Sequence, residues 1–447
     1  MIKFPSPAVS IVGRHNSGKT TLIEKLIAEL VGRGLDVGSV KHHSHVGFDI
    51  DIPGKDSWRH RHAGASETVI AAPGQMARIQ TTDGEAECAD IVASMPGHDV
   101  VIVEGYRKSG LPTIEIMRAG NKADARTAEV FAEGARKGWA LGTDFTQFGR
   151  GSMPHAAEVH PDDRPVAQSL DQAEEDRLAR SYPDHADISN KMPTAATVAV
   201  VTDIPLAAEA AGVYGIPAFD INDVAGLADF LQATFARPRV SMVIQAGGES
   251  RRMGRSKATV SFCGRPLICR LIERLSPVAD ELIVTTNEPK ELAFLQEQYP
   301  ELGIRFESDV INERGALPGL YTALRCARNP YVAVVACDMV LASPSLVVAE
   351  ALEMTRTGAD VVVPVNKHGF EPFHAIYRRS DCLPAVRAAL HEGEKRAQVF
   401  FNQVNVCEFP QKKVLEAEPM GGCFMNANTP DELAALERII QDRIECE

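Results

Sequence analysis

Short apolar runs alternate with amphipathic stretches over most of the chain. Residues 8–12 read as a buried strand. Residues 20–32 carry helical spacing through Leu22, Leu26, Ile27 and Leu30, and Gly34 suits the stop. Further strands are expected at 37–41, 99–103 (DVVIV) and 113–117. This βαβ alternation predicts a mostly parallel, doubly wound sheet with helices on both faces. From about Arg118 the pattern weakens. Residues 145–193, rich in Pro, Asp, Gly, Gln and His, read as a long insertion, partly disordered or lid-like, with one amphipathic surface helix at 169–181. Strands at 197–201 and 217–221 and a helix over 223–235 then close the first domain.

Arg237-Pro238-Arg239 reads as a short linker. Beyond it, strands at 240–245, 281–286, 304–307, 331–336 and 360–365 alternate with helices at 266–275, 289–298, 319–327 and 345–356. That predicts a second doubly wound α/β domain. Thr429-Pro430-Asp431-Glu432 supplies an N-cap, a Pro at the first helical position and a Glu at the third, a well-specified helix start. The domains are expected at 1–236, with the insertion at about 145–193, and at 240–447.

Composition narrows the function classes. The chain has 447 residues, 45% hydrophobic and 24% charged, enough for two full cores. Its net charge of -13 and the lack of a long Lys/Arg stripe argue against nucleic acid. The nine cysteines form no CxxC pair, which points to a reducing, cytoplasmic setting over a disulfide framework. The first twelve residues read as a strand and not a signal peptide, and no apolar run reaches the ~20 residues needed to span a membrane.

Gly13-Arg14-His15-Asn16-Ser17-Gly18-Lys19-Thr20 matches G-x-x-x-x-G-K-[ST] between a strand and a helix. Glycines let the backbone wrap a phosphate so that N–H groups from Asn16, Ser17, Gly18, Lys19, Thr20 and Thr21 converge on it, aided by the helix N-terminus. Lys19 would reach the outer phosphates and the Thr20 hydroxyl would bind Mg²⁺. Glu104, closing DVVIV, is the matching second carboxylate. Asp49, Asp51 and Asp56 form another acidic set. His42, His43, His45, His60 and His62 cluster without metal-ligand spacing. With Lys41, Lys55, Arg59 and Arg61 they read as a polar, phosphate-facing surface more than as a metal site.

The stretch from Val243 to Lys257 runs a strand into a glycine-rich turn and then delivers Arg251, Arg252 and Lys257. Gly247 and Gly248 allow close approach to a triphosphate. Arg252 can neutralise phosphate as a planar fork and Lys257 as a point charge. The position, after the first strand of an α/β domain, is where such sheets bind ligands.

Two resemblances follow from these motifs. GRHNSGKTTLIEKLI, VKHHSHVGFDIDIPGKDSWRHRHAGA, VIVEGYR and FDINDVAGLADFL resemble the MobB-like GTP-binding proteins of molybdenum-cofactor synthesis, over about 8–120 and 197–235. That resemblance implies GTP binding with weak hydrolysis. QAGGESRRMGRSK, GALPGL, VACDM and FMNANTP, in that order over 240–443, resemble GT-A-like nucleotidyltransferases, and among them the MobA-like molybdenum cofactor guanylyltransferases. It implies a Rossmann-like fold. It also implies that Gln245, Ala246, Gly247, Gly248 and Lys257 hold the nucleotide, that Asn287 and Asp309 read base and ribose, and that Asp338 binds Mg²⁺. Asn426 and Asn428 fall near the pterin side, although Asn428 also suits the turn before the last helix. Gln245 where Leu is commoner, Ala316 for Pro, and Val340 for Pro bear on base selectivity and turn geometry more than on chemistry.

The expected reaction is attack of molybdopterin's terminal phosphate on the α-phosphate of GTP, with Arg252, Lys257 and Asp338 as catalytic residues. Molybdoenzyme apoproteins, their chaperones or the molybdate-insertion enzyme are the expected partners. A cytidylyltransferase of the same cofactor and a GTP-binding carrier or chaperone are the alternatives.

Overall fold

The computed structural model describes residues 2–43, 50–141, 191–247, 257–311, 313, 315–427 and 429–444. The chain divides into two compact units, Pro5–Arg237, and Pro238–Glu447 together with Met1–Phe4. Most of the insertion expected at 145–193, with its helix at 169–181, lies outside the described residues.

The unit Pro5–Arg237 contains strands β1 (Ala8–Gly13), β2 (Val37–Lys41), β3 (Glu67–Ala72), β4 (Gln75–Gln80), β5 (Val100–Glu104), β6 (Thr113–Met117), β7 (Thr197–Thr202) and β8 (Ala218–Phe219). Its helices are α1 (Lys19–Gly32), α2 (Asp56–His62), α3 (Cys88–Ala93), α4 (Lys122–Lys137), α5 (Pro205–Val213) and α6 (Val224–Thr234). Six strands form one sheet in the order β2-β5-β1-β6-β7-β8, every pair parallel. All their carboxyl ends therefore lie on one edge. Register places Ile11 beside Glu104 and Gly13 beside Ile116. Leu22, Leu26 and Leu30 of α1 pack on one face of the sheet with Leu227 and Leu231 of α6. Phe131 of α4 packs with Val200 and with Ala207 and Ala211 of α5.

Helix α4 occupies a stretch where the apolar pattern had faded. Its buried face sets Phe131 among the small residues Thr127, Ala128, Ala132 and Ala135, and the helix as a whole is polar. Its ends are well specified. Asn121 accepts from the Ala123 and Asp124 N–H groups, and Gly138 closes it at φ 68. The β3–β4 antiparallel hairpin was likewise not expected, because most of its side chains are exposed and only Thr68 is buried.

The unit Pro238–Glu447 contains strands β9 (Val240–Gln245), β10 (Ser261–Phe262), β11 (Arg265–Pro266), β12 (Glu281–Thr285), β13 (Arg305–Glu307), β14 (Tyr331–Ala336), β15 (Val361–Asn366), β16 (Gly369–Phe370), β17 (His374–Arg378) and β18 (Val406–Pro410). Its helices are α7 (Leu267–Leu275), α8 (Phe294–Gln298), α9 (Ala316–Cys326), α10 (Pro344–Thr357), α11 (Arg379–His391), α12 (Gln411–Ala417) and α13 (Pro430–Ile444). The sheet runs β13-β12-β9-β14-β17-β15-β16, with β18 beside β15. The first four strands are parallel. The sheet then turns mixed, because β17 pairs antiparallel with both β14 and β15. Purely doubly wound winding thus holds only for the first half. Apolar cores fill both faces. Thr429 and Glu432 make the expected reciprocal cap of α13: the Thr429 N–H donates to Glu432 Oε2, and the Glu432 N–H to Thr429 Oγ1, both at 3.2 Å.

Candidate functional site

In the first unit β1 ends in the Gly13–Thr20 loop, and backbone geometry shapes it. Asn16 sits at φ 57 and Gly18 at φ 82, both left-handed, so the chain curls before α1 begins at Lys19. Gly13 has no room for a side chain. A Cβ there would meet Ser17 Oγ at 2.8 Å and the Ile116 carbonyl oxygen at 3.0 Å. The Ser17 hydroxyl is buried with no hydrogen-bond partner among the described residues. Lys19 Nζ donates across the loop to the Gly13 and Arg14 carbonyls at 3.0 and 2.6 Å. Burial lowers the Lys19 ammonium below its ordinary range, with Glu104 pulling the other way. Thr20 Oγ1 donates to Glu104 Oε1 at 3.0 Å, and Lys41 lies 3.5 Å from the other Glu104 oxygen. The loop residues Gly13 to Thr20 and Glu104 are thus one cluster, and Thr21 is the exposed next residue of α1.

Three arginines to which sequence reading gave no role, one in this loop and two beside it, are each set by a carboxylate. Arg14 is buried 2.9 Å from Asp124 and donates to Thr127 Oγ1 at 2.8 Å. Arg107 forks onto buried Glu115 at 2.5 and 2.6 Å. Arg118, the residue after β6, donates through Nε to Asp203 Oδ2 at 3.1 Å. Burial pushes Glu115 up to about 7 against the opposing pull of Arg107, and raises Asp124 against the Arg118 N–H and Arg14. Burial works against Asp203 too, yet the Ala119 N–H and the Arg118 guanidinium hold it below the usual carboxylate range. The available signal was position: basic residues within three of the carboxyl ends of β1, β5 and β6.

The acidic and histidine loop is spent locally. Asp51 accepts from Ser57 Oγ at 2.8 Å, and Asp56 lies 3.9 Å from Arg59. His42 stacks on Tyr106 at 4.2 Å and faces Glu85 at 2.6 Å, while His62 stacks on Trp58 at 3.5 Å. His45 and Asp49 lie outside the described residues.

In the second unit four parallel strands deliver the site from four places in the chain. Past the strand ends, the Ala246 N–H donates to the Thr285 carbonyl, Thr286 to Glu307 and Cys337 to Gln245, at 2.8–3.0 Å. The loops of β9, β12, β13 and β14 therefore start level. Lys257 Nζ donates to Asp338 Oδ2 at 2.9 Å, both side chains about one-fifth exposed. Asn287 Nδ2 donates to Asp309 Oδ2 at 2.9 Å, and the Asp309 N–H returns to Asn287 Oδ1 at 3.0 Å. A Cβ on Gly247 would stand 3.8 Å from Asp309 Oδ2, so the glycine turn lies against this pair. The Ala427 N–H donates to the Asp338 carbonyl at 3.0 Å, which brings neighbouring Asn426 to the same edge. Gln245 reaches the first turn of α9, where Gly319 leaves it space, and its buried Nε2 has no hydrogen-bond partner among the described residues. Gly248, Arg252 and Asn428 lie outside the described residues.

Behind Asp338 is a buried support. The Ser343 N–H, at the far end of the Asp338 loop, donates to His374 Nε2 at 3.0 Å, and Ser343 Oγ donates to Glu418 at 2.7 Å. His374 Nε2 is then the acceptor nitrogen, so its proton is on Nδ1, 3.6 Å from Glu350 Oε1. Both side chains are fully buried. Burial pushes Glu350 up to about 7, with His374 opposing.

Two family models match the chain. Residues 8–132 match molybdopterin guanine dinucleotide synthesis protein B, and residues 242–406 match the MobA-like NTP transferase domain. A probable molybdenum cofactor guanylyltransferase of Natranaerobius thermophilus is 32% identical over 43% of this chain and 93% of its own length. The molybdenum cofactor guanylyltransferase of Desulfosudis oleivorans is 30% identical over 45% of this chain and 96% of its own. The molybdopterin-guanine dinucleotide biosynthesis adapter protein of Haemophilus influenzae is 39% identical over 25% of this chain and 64% of its own.

Proposed function

We propose that this chain, which belongs to the molybdenum cofactor guanylyltransferase family, transfers the GMP moiety of GTP to molybdopterin and releases pyrophosphate. Residues 240–447 do the transfer, and residues 1–236 are an accessory GTP-binding module. The observation that carries the reading is the Lys257–Asp338 pair, 2.9 Å apart at the strand edge that also holds Gly247, Asn287 and Asp309.

A terminal phosphate oxygen of molybdopterin bonds the α-phosphorus, and the bond to the β-phosphate bridging oxygen breaks. The attacking phosphate is already ionised, so no general base is needed. Lys257, with Arg252 five positions before it, offsets charge on the α-phosphate and the leaving group, while the glycine turn and the Asn287–Asp309 pair orient the nucleoside. The Asp338 carboxylate is a hard oxygen donor of the kind Mg²⁺ takes together with substrate phosphates, and so is the Thr20–Glu104 pair of the other unit. Bound Mg²⁺ supplies polarisation of the phosphate oxygens. Asn426 faces the pterin side.

Covalent joining of the modules raises the concentration of each for the other. Among the described residues no helix is long and apolar enough to cross a membrane. We place the reaction in the cytoplasm, with molybdoenzyme apoproteins or their assembly factors receiving the product.

The test is pyrophosphate release by the purified full chain with molybdopterin, comparing GTP, CTP and ATP. GTP-selective release that disappears in Asp338→Ala is the expected result. Release with CTP alone would keep the chemistry and change the product. Tight GTP binding without release of pyrophosphate would sink the transferase reading.

A further inference from the structure

Among the three arginines described above, Arg118 is the one whose guanidinium is held at one end and open at the other. It follows β6, the strand whose Ile116 pairs with Gly13 at the start of the loop. Its backbone is pinned, because the Arg118 N–H donates to Asp124 Oδ2 at 3.1 Å. The next N–H, of Ala119, donates to Asp203 Oδ1 at 2.6 Å. Its side chain is aimed, because Nε is tied to the other oxygen of the same Asp203 at 3.1 Å. Among the described residues neither Nη makes a hydrogen bond.

Nη1 lies 3.1 Å from the point where a Cβ on Gly18 would stand, so the open end rests on the phosphate-cradling backbone itself. The side chain is 35% exposed. The other two arginines differ. Arg14 is buried on Asp124 and Thr127, and Arg107 gives both Nη groups to Glu115. An arginine fixed through Nε leaves its planar Nη pair to meet two phosphate oxygens, which a mobile lysine cannot do with the same geometry.

We propose that Arg118 contacts the phosphoryl oxygens of a nucleoside triphosphate in the first unit. It acts as an arginine supplied in cis for hydrolysis of that nucleotide, with Asp203 as its positioning residue. The proposal rests on reading Gly13–Thr20 as a triphosphate site. In the step a water oxygen bonds the γ-phosphorus, the bond to the β–γ bridging oxygen breaks, and the proton of the water passes to the phosphate product. GDP and phosphate leave. Charge growing on the γ-phosphoryl and bridging oxygens is what the guanidinium offsets, the role arginines play at other phosphate loops.

The experiment uses the full chain without molybdopterin, so that phosphate and not pyrophosphate is the product read. Phosphate release from GTP is followed under single-turnover conditions, with affinity for GDP measured in parallel. Arg118→Ala is expected to slow release on the order of 100-fold or more while GDP affinity changes much less. Arg118→Lys should fail to restore the rate, because it keeps the charge and loses the fork. Asp203→Asn should fall between the wild type and Arg118→Ala. Lys19→Ala separates the two readings. If Lys19→Ala abolishes release while Arg118→Ala and Arg118→Lys match the wild type, Arg118 is a structural residue and the proposal is wrong. If Lys19→Ala also releases phosphate like the wild type, the triphosphate reading of the loop fails and Arg118 falls with it. A wild type that releases no phosphate at all would overturn the hydrolytic role.

Discussion

The two units offer two ways of making a candidate phosphate site at the carboxyl edge of a parallel sheet. The first unit builds it from eight consecutive residues whose backbone does the shaping: Asn16 and Gly18 take positive φ and the loop closes on itself. Charged side chains then gather around that loop, each placed by its own carboxylate. The second unit takes its groups from β9, β12, β13 and β14, and the link at its centre, Lys257 to Asp338, joins residues 81 positions apart. A contiguous site tolerates changes elsewhere in its sheet. A distributed site depends on everything that keeps four strand ends level.

The largest effect should come at the centre of the distributed site. Asp338→Ala is expected to lower pyrophosphate release by roughly 100- to 1000-fold, the scale for losing a main electrostatic group. Steady-state turnover with GTP and molybdopterin measures it. A loss confined to KM would reduce Asp338 to a binding residue.

Next is the buried support behind the Asp338 loop. Glu350 has its carboxyl raised from 4.5 to about 7 by burial, near His374, with Tyr377 and Cys423 also close enough to feel its charge. A raised acid binds its proton more tightly when folded. Its contribution to stability is therefore whole below pH 4.5 and is lost as pH climbs toward 7. Glu350→Gln cannot ionise, so its stability relative to wild type should rise between pH 5 and pH 8, by up to about 3 kcal/mol. Denaturant unfolding of the second unit at the two pH values checks this. A difference that does not change with pH would show that the carboxyl is not titrating there.

A smaller effect tests the contiguous site. Gly18→Ala puts a side chain at φ 82, costing roughly 1–2 kcal/mol, and sets its Cβ 3.1 Å from Arg118 Nη1. Thermal unfolding should shift down modestly, and phosphate release should fall while pyrophosphate release in the other unit persists. Equal loss of both activities would mean that the two sites do not work separately.

The smallest concerns Gln245, whose buried Nε2 has no protein partner among the described residues. Gln245→Leu removes a desolvated donor and should add about 1 kcal/mol of stability. The KM for GTP should rise if that donor pairs with the nucleotide. Unchanged stability with unchanged KM would sink both halves of the expectation.

Legibility in the sequence followed the same division. The strands that feed both sites were readable, because buried parallel strands are unbroken apolar runs such as DVVIV and YVAVVA. The loop Gly13–Thr20 was readable because its chemistry is consecutive. Helix α4 was not, since most of its residues are polar and its buried face is largely alanine and threonine around a single Phe131. The strand β17 was not read, and with it went the antiparallel turn of the second sheet.

By itself the sequence nominated the candidates for touching a phosphate: the loop of Gly13–Thr20, Glu104, the glycines after β9, Lys257 and Asp338. Local composition and spacing suffice for that, because strand ends and glycine turns are short-range properties of the chain. Only the tertiary structure decided which of them meet, and which other side chains surround them. The Asn287–Asp309 pair, the His374–Glu350 support and the aim of Arg118 by Asp203 join residues 22 to 85 positions apart. Those pairings depend on strand order and register, which no local pattern encodes, because a side chain's partner is chosen by where the sheet places the neighbouring strand.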